Sequence, residues 1–167
     1  MEVTTEQIKK LRDACGAGIM DCRNTLNDTG GDFDKALAIL KEKGLAKAEK
    51  KGDRATGSGL VEAYIHTAGR VGVIVEVNCE TDFVARTDEF KALCHDIAMQ
   101  IAAMNPQYIE ETELPEGSED DPALVCLLAQ PFIKDPSQAI RDLVVATVAK
   151  TGENIKVRRF TRYELGC

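Results

Sequence analysis

The sequence contains no tryptophan, only two histidines, and few aromatic residues of any kind, which make up 5% of its 167 residues. It has no apolar run near the roughly 18 residues that a membrane-spanning helix needs. Its first residues also lack the basic and apolar regions of a secretion signal. We therefore expect a protein of the cytoplasm with no membrane contact. The hydrophobic content of 44% is ordinary and is sufficient for a packed core.

Lysine and arginine are absent between Ala92 and Ile133, where eight acidic residues lie, and the net charge of the whole chain is −7. The rest of the chain is therefore close to neutral. Because binding to nucleic acid depends on basic contacts to phosphate, direct nucleic-acid binding is not expected. Two basic stretches remain, at residues 41–54 and 156–162, and each is either a solvated surface or a partner contact.

The sequence shows no pattern that is typical of an enzyme. It has no Cys-x-x-Cys pair, and adjacent Cys94 and His95 on one helix would point apart, so we expect no metal site. Neither glycine pair, at 16/18 or 57/59, lies between a strand and a helix as a phosphate loop does. We expect buried, reduced thiols, except for Cys167, which is the last residue and should be exposed.

The first 45 residues predict three short helices. Thr4 and Gln7 form a capping box, and Gly16 and Gly18 separate the first two helices. Three apolar stripes have helical spacing: Ile8, Leu11 and Cys15; Ile19, Cys22 and Leu26; Phe33, Ala36, Leu37 and Leu40. Met20 lies off the second stripe and should therefore be at the surface. We expect Asp32 to cap the third helix and Gly44 to end it.

Residues 46–58 are rich in lysine, alanine and glycine and predict a linker to a second module at residues 59–167. Strands are predicted at 60–66 and 71–78, where valines alternate along the second strand, with a turn around Ala68 and Gly69. A helix follows at 88–104, with Thr87 as its N-cap.

Residues 110–121 form an acidic loop, and a second helix of this module should begin at Asp135 and Pro136. A third strand spans 155–164, and its alternation slips in a way that indicates a bulge at Arg158 and Arg159. The expected fold is α+β: a three-helix module followed by a three-stranded antiparallel sheet packed with helices.

Phe83 lies in a polar segment, residues 78–87, between the second strand and the following helix. By residue type alone, burial in the core is the more common outcome for a phenylalanine. The alternative is an exposed aromatic side chain on a tight turn, with the Asp82 carboxylate beside it available to a partner. An exposed aromatic residue beside polar neighbours is typical of interface hot spots.

Several stretches, in order along nearly the whole chain, resemble bacterial elongation factor Ts. They are Leu11-Arg12-x-x-Cys15-Gly16-Ala17-Gly18-Ile19-Met20-Asp21-Cys22, Gly31-Asp32-Phe33-Asp34-Lys35-Ala36, Glu76-Val77-Asn78-Cys79-Glu80-Thr81-Asp82-Phe83-Val84-Ala85-Arg86, Gln130-Pro131-Phe132-Ile133-Lys134-Asp135-Pro136 and Gly152-Glu153-Asn154-Ile155-x-Val157-Arg158-Arg159-Phe160. The resemblance departs from the usual pattern at Cys15, where the family usually has threonine.

The resemblance implies a guanine nucleotide exchange factor for elongation factor Tu that uses no cofactor and carries out no chemistry of its own. In that family an Asp-Phe pair enters the GTPase domain of elongation factor Tu near the magnesium side of the nucleotide site. The matching residues here are Thr81, Asp82, Phe83 and Val84. The N-terminal module, which is similar to ubiquitin-associated domains, would meet the same GTPase domain. Its matching residues are Arg12, Gly18, Ile19 and Met20.

Many members of the family are longer, with a duplicated core lobe and a coiled coil. The resemblance to short members therefore implies a homodimer formed through the core module. Two other functions remain open. One is a non-catalytic adaptor whose ubiquitin-associated-like module binds a partner, and the other is a thiol redox protein using Cys22 or Cys79.

Overall fold

Three helices occupy the start of the chain in the computed structural model, which describes residues 3–166. They are α1 (Thr5–Cys15), α2 (Ile19–Asp28) and α3 (Phe33–Glu49). The predicted capping box is confirmed, because the Gln7 backbone N–H donates to Thr4 Oγ1 and the Thr4 N–H donates to Gln7 Oε1. Asp32 caps α3 as predicted, accepting a hydrogen bond from the Lys35 N–H. Their shared core is Leu11, Cys15, Cys22, Leu26, Ala36 and Leu40.

Two predictions for these helices are wrong. The apolar stripe of α2 predicts a buried Ile19, whereas this side chain is 55% exposed. It is the first residue of α2, so its side chain lies at the end of the helix, beyond the buried core. The predicted stop at Gly44 also fails, because α3 continues to Glu49. A single helical glycine costs only about 1 kcal/mol, and strong helix formers follow it.

The end of helix α7 (Ile140–Thr151) belongs to the same compact unit as these three helices. That unit consists of the residues up to Arg54 together with Val145–Asn154. Lys51 Nζ donates to the Gly152 carbonyl at 2.8 Å, and the Asn154 side-chain amide donates to the carbonyls of Gly52 and Arg54. Thus part of the first unit comes from near the end of the sequence.

The second unit is built on a three-stranded antiparallel sheet, as predicted. Its strands are β1 (Ser58–Ile65), β2 (Val71–Cys79) and β5 (Ile155–Glu164), in the order β1-β2-β5. The predicted bulge is confirmed, since Glu76 pairs with Arg159 and Val77 pairs with Val157, which leaves Arg158 as the extra residue.

Helix α5 (Asp88–Met104) covers one face of this sheet and has the predicted bounds. The Thr87 hydroxyl accepts a hydrogen bond from the Phe90 N–H and so caps the helix as expected. Phe90 and the β2 residues Val73, Val75 and Val77 are buried, and they form the core between helix and sheet.

The predicted helix start at Asp135 and Pro136 is wrong. Residues Asp135–Ala139 form strand β4, which pairs with the short strand β3 (Pro131–Phe132). The Asp135 carboxylate accepts from the Ser137 N–H, so it closes a turn instead of capping a helix. Helix α7 begins only at Ile140, where Asp142 Oδ2 accepts from the Ala139 N–H. The remaining α-helices of the described chain are α4 (Asp82–Ala85) and α6 (Pro122–Val125).

Candidate functional site

The segment from Thr81 to Val84 is a single helical turn, α4, between the end of β2 and the start of α5. Thr81 is its N-cap, with an extended backbone and a hydroxyl that accepts from the Val84 N–H at 3.4 Å. Cys79 Sγ donates to the Thr81 carbonyl at 3.1 Å, and the Thr87 hydroxyl donates to the Val84 carbonyl at 2.8 Å. Side chains on both sides of the turn therefore fix its backbone.

Phe83 is 80% exposed, which makes it the most exposed of the large apolar side chains in the described part of the chain. The alternative of an exposed aromatic side chain on a tight turn is therefore confirmed, whereas burial in the core, which residue type alone favours, is not observed. The turn itself is anchored by Ala85, which is buried, and by half-buried Val84. Its neighbours hold the backbone of the turn, and the phenyl ring extends into solvent.

Asp82 lies beside Phe83 and pairs with Arg86, one turn later, with 2.8 Å between Oδ2 and Nη2. We expected this carboxylate to be available to a partner, and the structure shows that it already has a basic neighbour. Both side chains are largely exposed, so the pair contributes little to stability and can exchange for a partner's group at small cost. The spacing of an acid four residues before a base is a signal that sequence analysis missed.

The second set of predicted residues surrounds the junction between α1 and α2. Gly16 adopts the left-handed conformation that ends α1, and its N–H donates to the Arg12 carbonyl. Gly18 is the N-cap of α2, so no side chain caps that helix. Ile19 and Met20 follow with 55% and 60% exposure, and Arg12 is exposed as well. The surface position predicted for Met20 is confirmed.

The outer face of the sheet is a third exposed surface, which the sequence did not reveal residue by residue. Pairing places Ile65, Gly72 and Tyr163 in one row across the three strands and Ala63, Ile74 and Thr161 in the next. The large apolar side chains exposed here are Val61, Ile65, Ile74 and Tyr163. Ile65, Ile74 and Tyr163 also line a groove of about 430 Å³, together with Arg70 and Leu165 next to the strands. Along β1 and β2 these exposed residues alternate with more buried ones, and this period of two could have identified the outer face from the sequence.

Within residues 3–166, no group of three or more His, Cys, Asp or Glu side chains is placed to hold a metal ion. Cys94 is buried, and burial raises its pKa to about 12, whereas adjacent His95 points to Glu62 on β1. The predicted divergence of these two side chains is confirmed. No helix of this part of the chain is long and apolar enough to cross a membrane.

Comparisons with known proteins agree on one family. The family model described as Elongation factor TS matches residues 34–121, just over half of the chain. The Elongation factor Ts of Heliobacterium modesticaldum is 48% identical, with 98% of this chain and 90% of the relative covered. That of Coprothermobacter proteolyticus is 47% identical, covering 99% of this chain and 100% of the relative. The Elongation factor Ts of Thermotoga neapolitana is 46% identical, with 99% of this chain and 98% of the relative covered.

The chain belongs to the elongation factor Ts family. This membership places it among the translation elongation factors and confirms the resemblance seen in the sequence. One difference in length stands out. The alignment with the Heliobacterium relative spans 194 positions, whereas this chain has 167 residues, so at least 27 aligned positions of the relative have no counterpart here.

Proposed function

We propose that this chain is a guanine nucleotide exchange factor for elongation factor Tu. It binds the GDP form, promotes GDP release by disturbing the magnesium and phosphate side of the nucleotide site, and stabilises the nucleotide-free state. It does this by binding alone, without a cofactor and without chemistry of its own, in the cytoplasm. Family membership supports the partner, and the exposed turn at Thr81–Val84 supports the mechanism.

The observation that carries the proposal is the exposure of Phe83 on a backbone that its neighbours hold in place. A rigid exposed aromatic residue loses little conformational freedom when it enters a pocket, so most of its burial contributes to affinity. Asp82, next to it, exchanges its weak ion pair with Arg86 for a group of the partner. In this proposal Phe83 enters the GTPase domain, and Thr81 and Val84 fix its direction.

Exchange follows from thermodynamic linkage. A factor that binds nucleotide-free partner more tightly than GDP-bound partner weakens GDP binding by the same ratio, about 1.4 kcal/mol for each factor of ten. The differential contact has to come from groups that compete with the magnesium and phosphate contacts. Phe83 and Asp82 are the groups of the second unit that we assign to this role.

The N-terminal module provides a second contact with the same GTPase domain in this proposal. Ile19 and Met20 are apolar side chains at the surface, and exposed Arg12 supplies a charge near them in the sequence. In this proposal these residues increase the affinity for elongation factor Tu and do not displace the nucleotide. We retain a module of residues 1–45, a linker of 46–58 and a core of 59–167 as the functional division, with Val145–Asn154 completing the first unit structurally.

We further propose that the active form is a homodimer joined through the outer face of the sheet. Val61, Ile74 and Tyr163 are exposed apolar side chains on one face of the sheet, and a second copy of the chain would cover them. The same face carries both signs of charge, because Glu76 pairs with Arg159 at 2.7 Å, so a second copy meets no uniform repulsion. Sedimentation equilibrium under reducing conditions tests this point, and a mass near the 18.2 kDa of one chain contradicts it.

Release of labelled GDP tests the proposed function itself. Elongation factor Tu loaded with labelled GDP is diluted into unlabelled nucleotide with or without a catalytic amount of this protein. We expect each molecule of this protein to accelerate many release events. A rate equal to the spontaneous rate contradicts exchange activity and favours the adaptor. If alkylation of the thiols leaves the acceleration intact, the redox alternative is excluded.

A further inference from the structure

Cys15 and Cys22 share one small core in the first unit. Cys15 is the last residue of α1, Cys22 lies in the first turns of α2, and both are buried among Leu11 and Leu26. The residues between them form the α1–α2 junction, which presents Gly18, Ile19 and Met20. The two thiols therefore stand at the base of a surface segment, one on each side of it.

Cys15 and Cys22 are neighbours in one buried cluster, and Cys15 lies near enough to contribute to the raised pKa of Cys22. Each is also tied to the local backbone, Cys15 Sγ to the Leu11 carbonyl at 3.0 Å and Cys22 Sγ to the Ala17 carbonyl at 3.8 Å. Disulfides join cysteines whose Cα atoms lie within about 7 Å, and two neighbouring buried cysteines on either side of a short turn are candidates for that bond.

We propose that Cys15 and Cys22 form an oxidation site, at which a peroxide converts the two thiols into an intramolecular disulfide that restrains the α1–α2 junction. One sulfur attacks a peroxide oxygen and becomes a sulfenic acid, releasing one water. The second sulfur then attacks the first, the S–S bond forms, and the hydroxyl leaves as a second water. Both sulfurs are oxidised by one electron each, and one hydrogen peroxide is reduced to two waters.

The burial of this pair determines when it reacts. Burial, together with the charge and hydrogen bond of Cys15, raises the pKa of Cys22 to about 12, so the thiolate is scarce in the closed module. Oxidation therefore proceeds through local opening of α1 and α2, which the small size of their shared hydrophobic cluster permits. A low concentration of urea should accelerate disulfide formation because it increases the open population.

Disulfide formation changes the junction itself. The Cys22 thiol loses the proton that it donates to the Ala17 carbonyl, and the new bond fixes the distance across the turn. We expect Ile19 and Met20 to move relative to α1 or to lose mobility. The consequence for elongation factor Tu rests on the proposed function, whereas formation of the disulfide does not.

The test uses the folded full-length chain carrying Cys167→Ser, since Cys167 lies outside the described residues and is a competing thiol. After hydrogen peroxide and alkylation, we expect mass spectrometry to show loss of two thiol hydrogens and a peptide linking Cys15 to Cys22, both reversed by dithiothreitol. Recovery of both residues as alkylated thiols overturns the proposal. Overoxidation of Cys22 beside an intact Cys15 thiol overturns it as well.

Two variants serve as matched controls. Cys15→Thr introduces the residue that the family usually has, and we expect it to abolish the disulfide while circular dichroism stays unchanged. Cys126→Ser removes a buried thiol of the other unit and should leave the Cys15–Cys22 disulfide intact. A disulfide peptide that still forms in Cys15→Thr shows that other cysteines are linked, and this contradicts the assignment.

Release of labelled GDP tests whether the Cys15–Cys22 disulfide affects exchange activity, which is a separate question from whether the disulfide forms. We expect the oxidised chain to accelerate release about tenfold less than the reduced chain, with recovery in dithiothreitol and no change in Cys15→Thr. Equal rates for a chain with a mapped disulfide contradict the effect on the junction. If the reduced chain has no exchange activity, the proposed function is contradicted. The oxidation site is then tested by mass spectrometry of the disulfide alone.

Discussion

The two proposed contact surfaces hold their exposed apolar residues in different ways. The turn at Thr81–Val84 is fixed by side chains, with hydroxyl and thiol groups of Thr81, Thr87 and Cys79 bonded to its backbone. At the α1–α2 junction the backbone conformation depends instead on glycines, which have no side chain. Gly16 takes a left-handed conformation and Gly18 caps α2 without a side-chain bond.

This difference shows two routes to the same result, which is an apolar side chain at the surface on an ordered backbone. The first route depends on particular polar atoms, so it should be sensitive to the loss of a single hydroxyl. The second depends on close approach and a positive φ angle, so it should be sensitive to the addition of a single methyl group.

The largest contrast lies within the second unit, between two phenylalanines seven residues apart. Phe90 is fully buried, so Phe90→Ala should lower the free energy of unfolding by about 3–5 kcal/mol. Phe83→Ala should change it by less than about 0.5 kcal/mol because its ring packs on little. Urea unfolding followed by circular dichroism measures both. A loss of similar size in the two variants would mean that Phe83 belongs to the core.

Gly16 should show the next largest effect. Its φ is +68°, and a Cβ there would lie 2.9 Å from the Ala146 carbonyl oxygen, which is backbone and cannot rotate away. We expect Gly16→Ala to destabilise the first unit by about 1–3 kcal/mol.

Gly30→Ala is the matched control, because Gly30 has a similar φ of +65° and nothing within 4 Å of the added methyl group. Gly30→Ala should lower the free energy of unfolding less than Gly16→Ala does. The difference between the two variants measures the effect of the close contact with the Ala146 carbonyl oxygen. Equal costs would show that the packing against Ala146 contributes nothing.

A smaller effect is expected at the Thr81 cap. Thr81→Ala removes the acceptor for the Val84 N–H and should cost about 1 kcal/mol, whereas Thr81→Ser keeps the acceptor and should cost less. Hydrogen exchange of the Val84 amide is the sensitive measurement. Protection in the alanine variant equal to that in the native chain would indicate that the backbone alone holds the turn.

Much of the fold could be predicted because local signals agreed with tertiary packing. Alternating valines marked β2, a threonine cap and an apolar stripe marked α5, and a slip in alternation marked the bulge at Arg158. The errors arose where a local signal had two meanings. Gly44 ends helices in many sequences, yet here it lies inside α3, where a Cβ would lie 3.4 Å from Val145 Cγ1.

The site was less predictable for a related reason. Residue type cannot decide whether Phe83 points inward or outward, because this depends on bonds from Cys79 and Thr87 that fix the turn. Ile19 has the spacing of a buried residue, but it lies at the end of α2, where the core has ended. Burial at the ends of elements is thus set by neighbours that periodicity does not show.

If Phe83 acts by entering elongation factor Tu, as we propose, its removal must slow the release of labelled GDP. The comparison is between the native chain, Phe83→Ala, and Leu124→Ala as a control, since Leu124 is also an exposed apolar residue, at 63%, but lies on α6. Loss of a hot-spot aromatic costs about 2 kcal/mol or more, so Phe83→Ala should slow catalysed release about 30-fold or more, with Leu124→Ala unchanged. Native rates for folded Phe83→Ala would contradict the account.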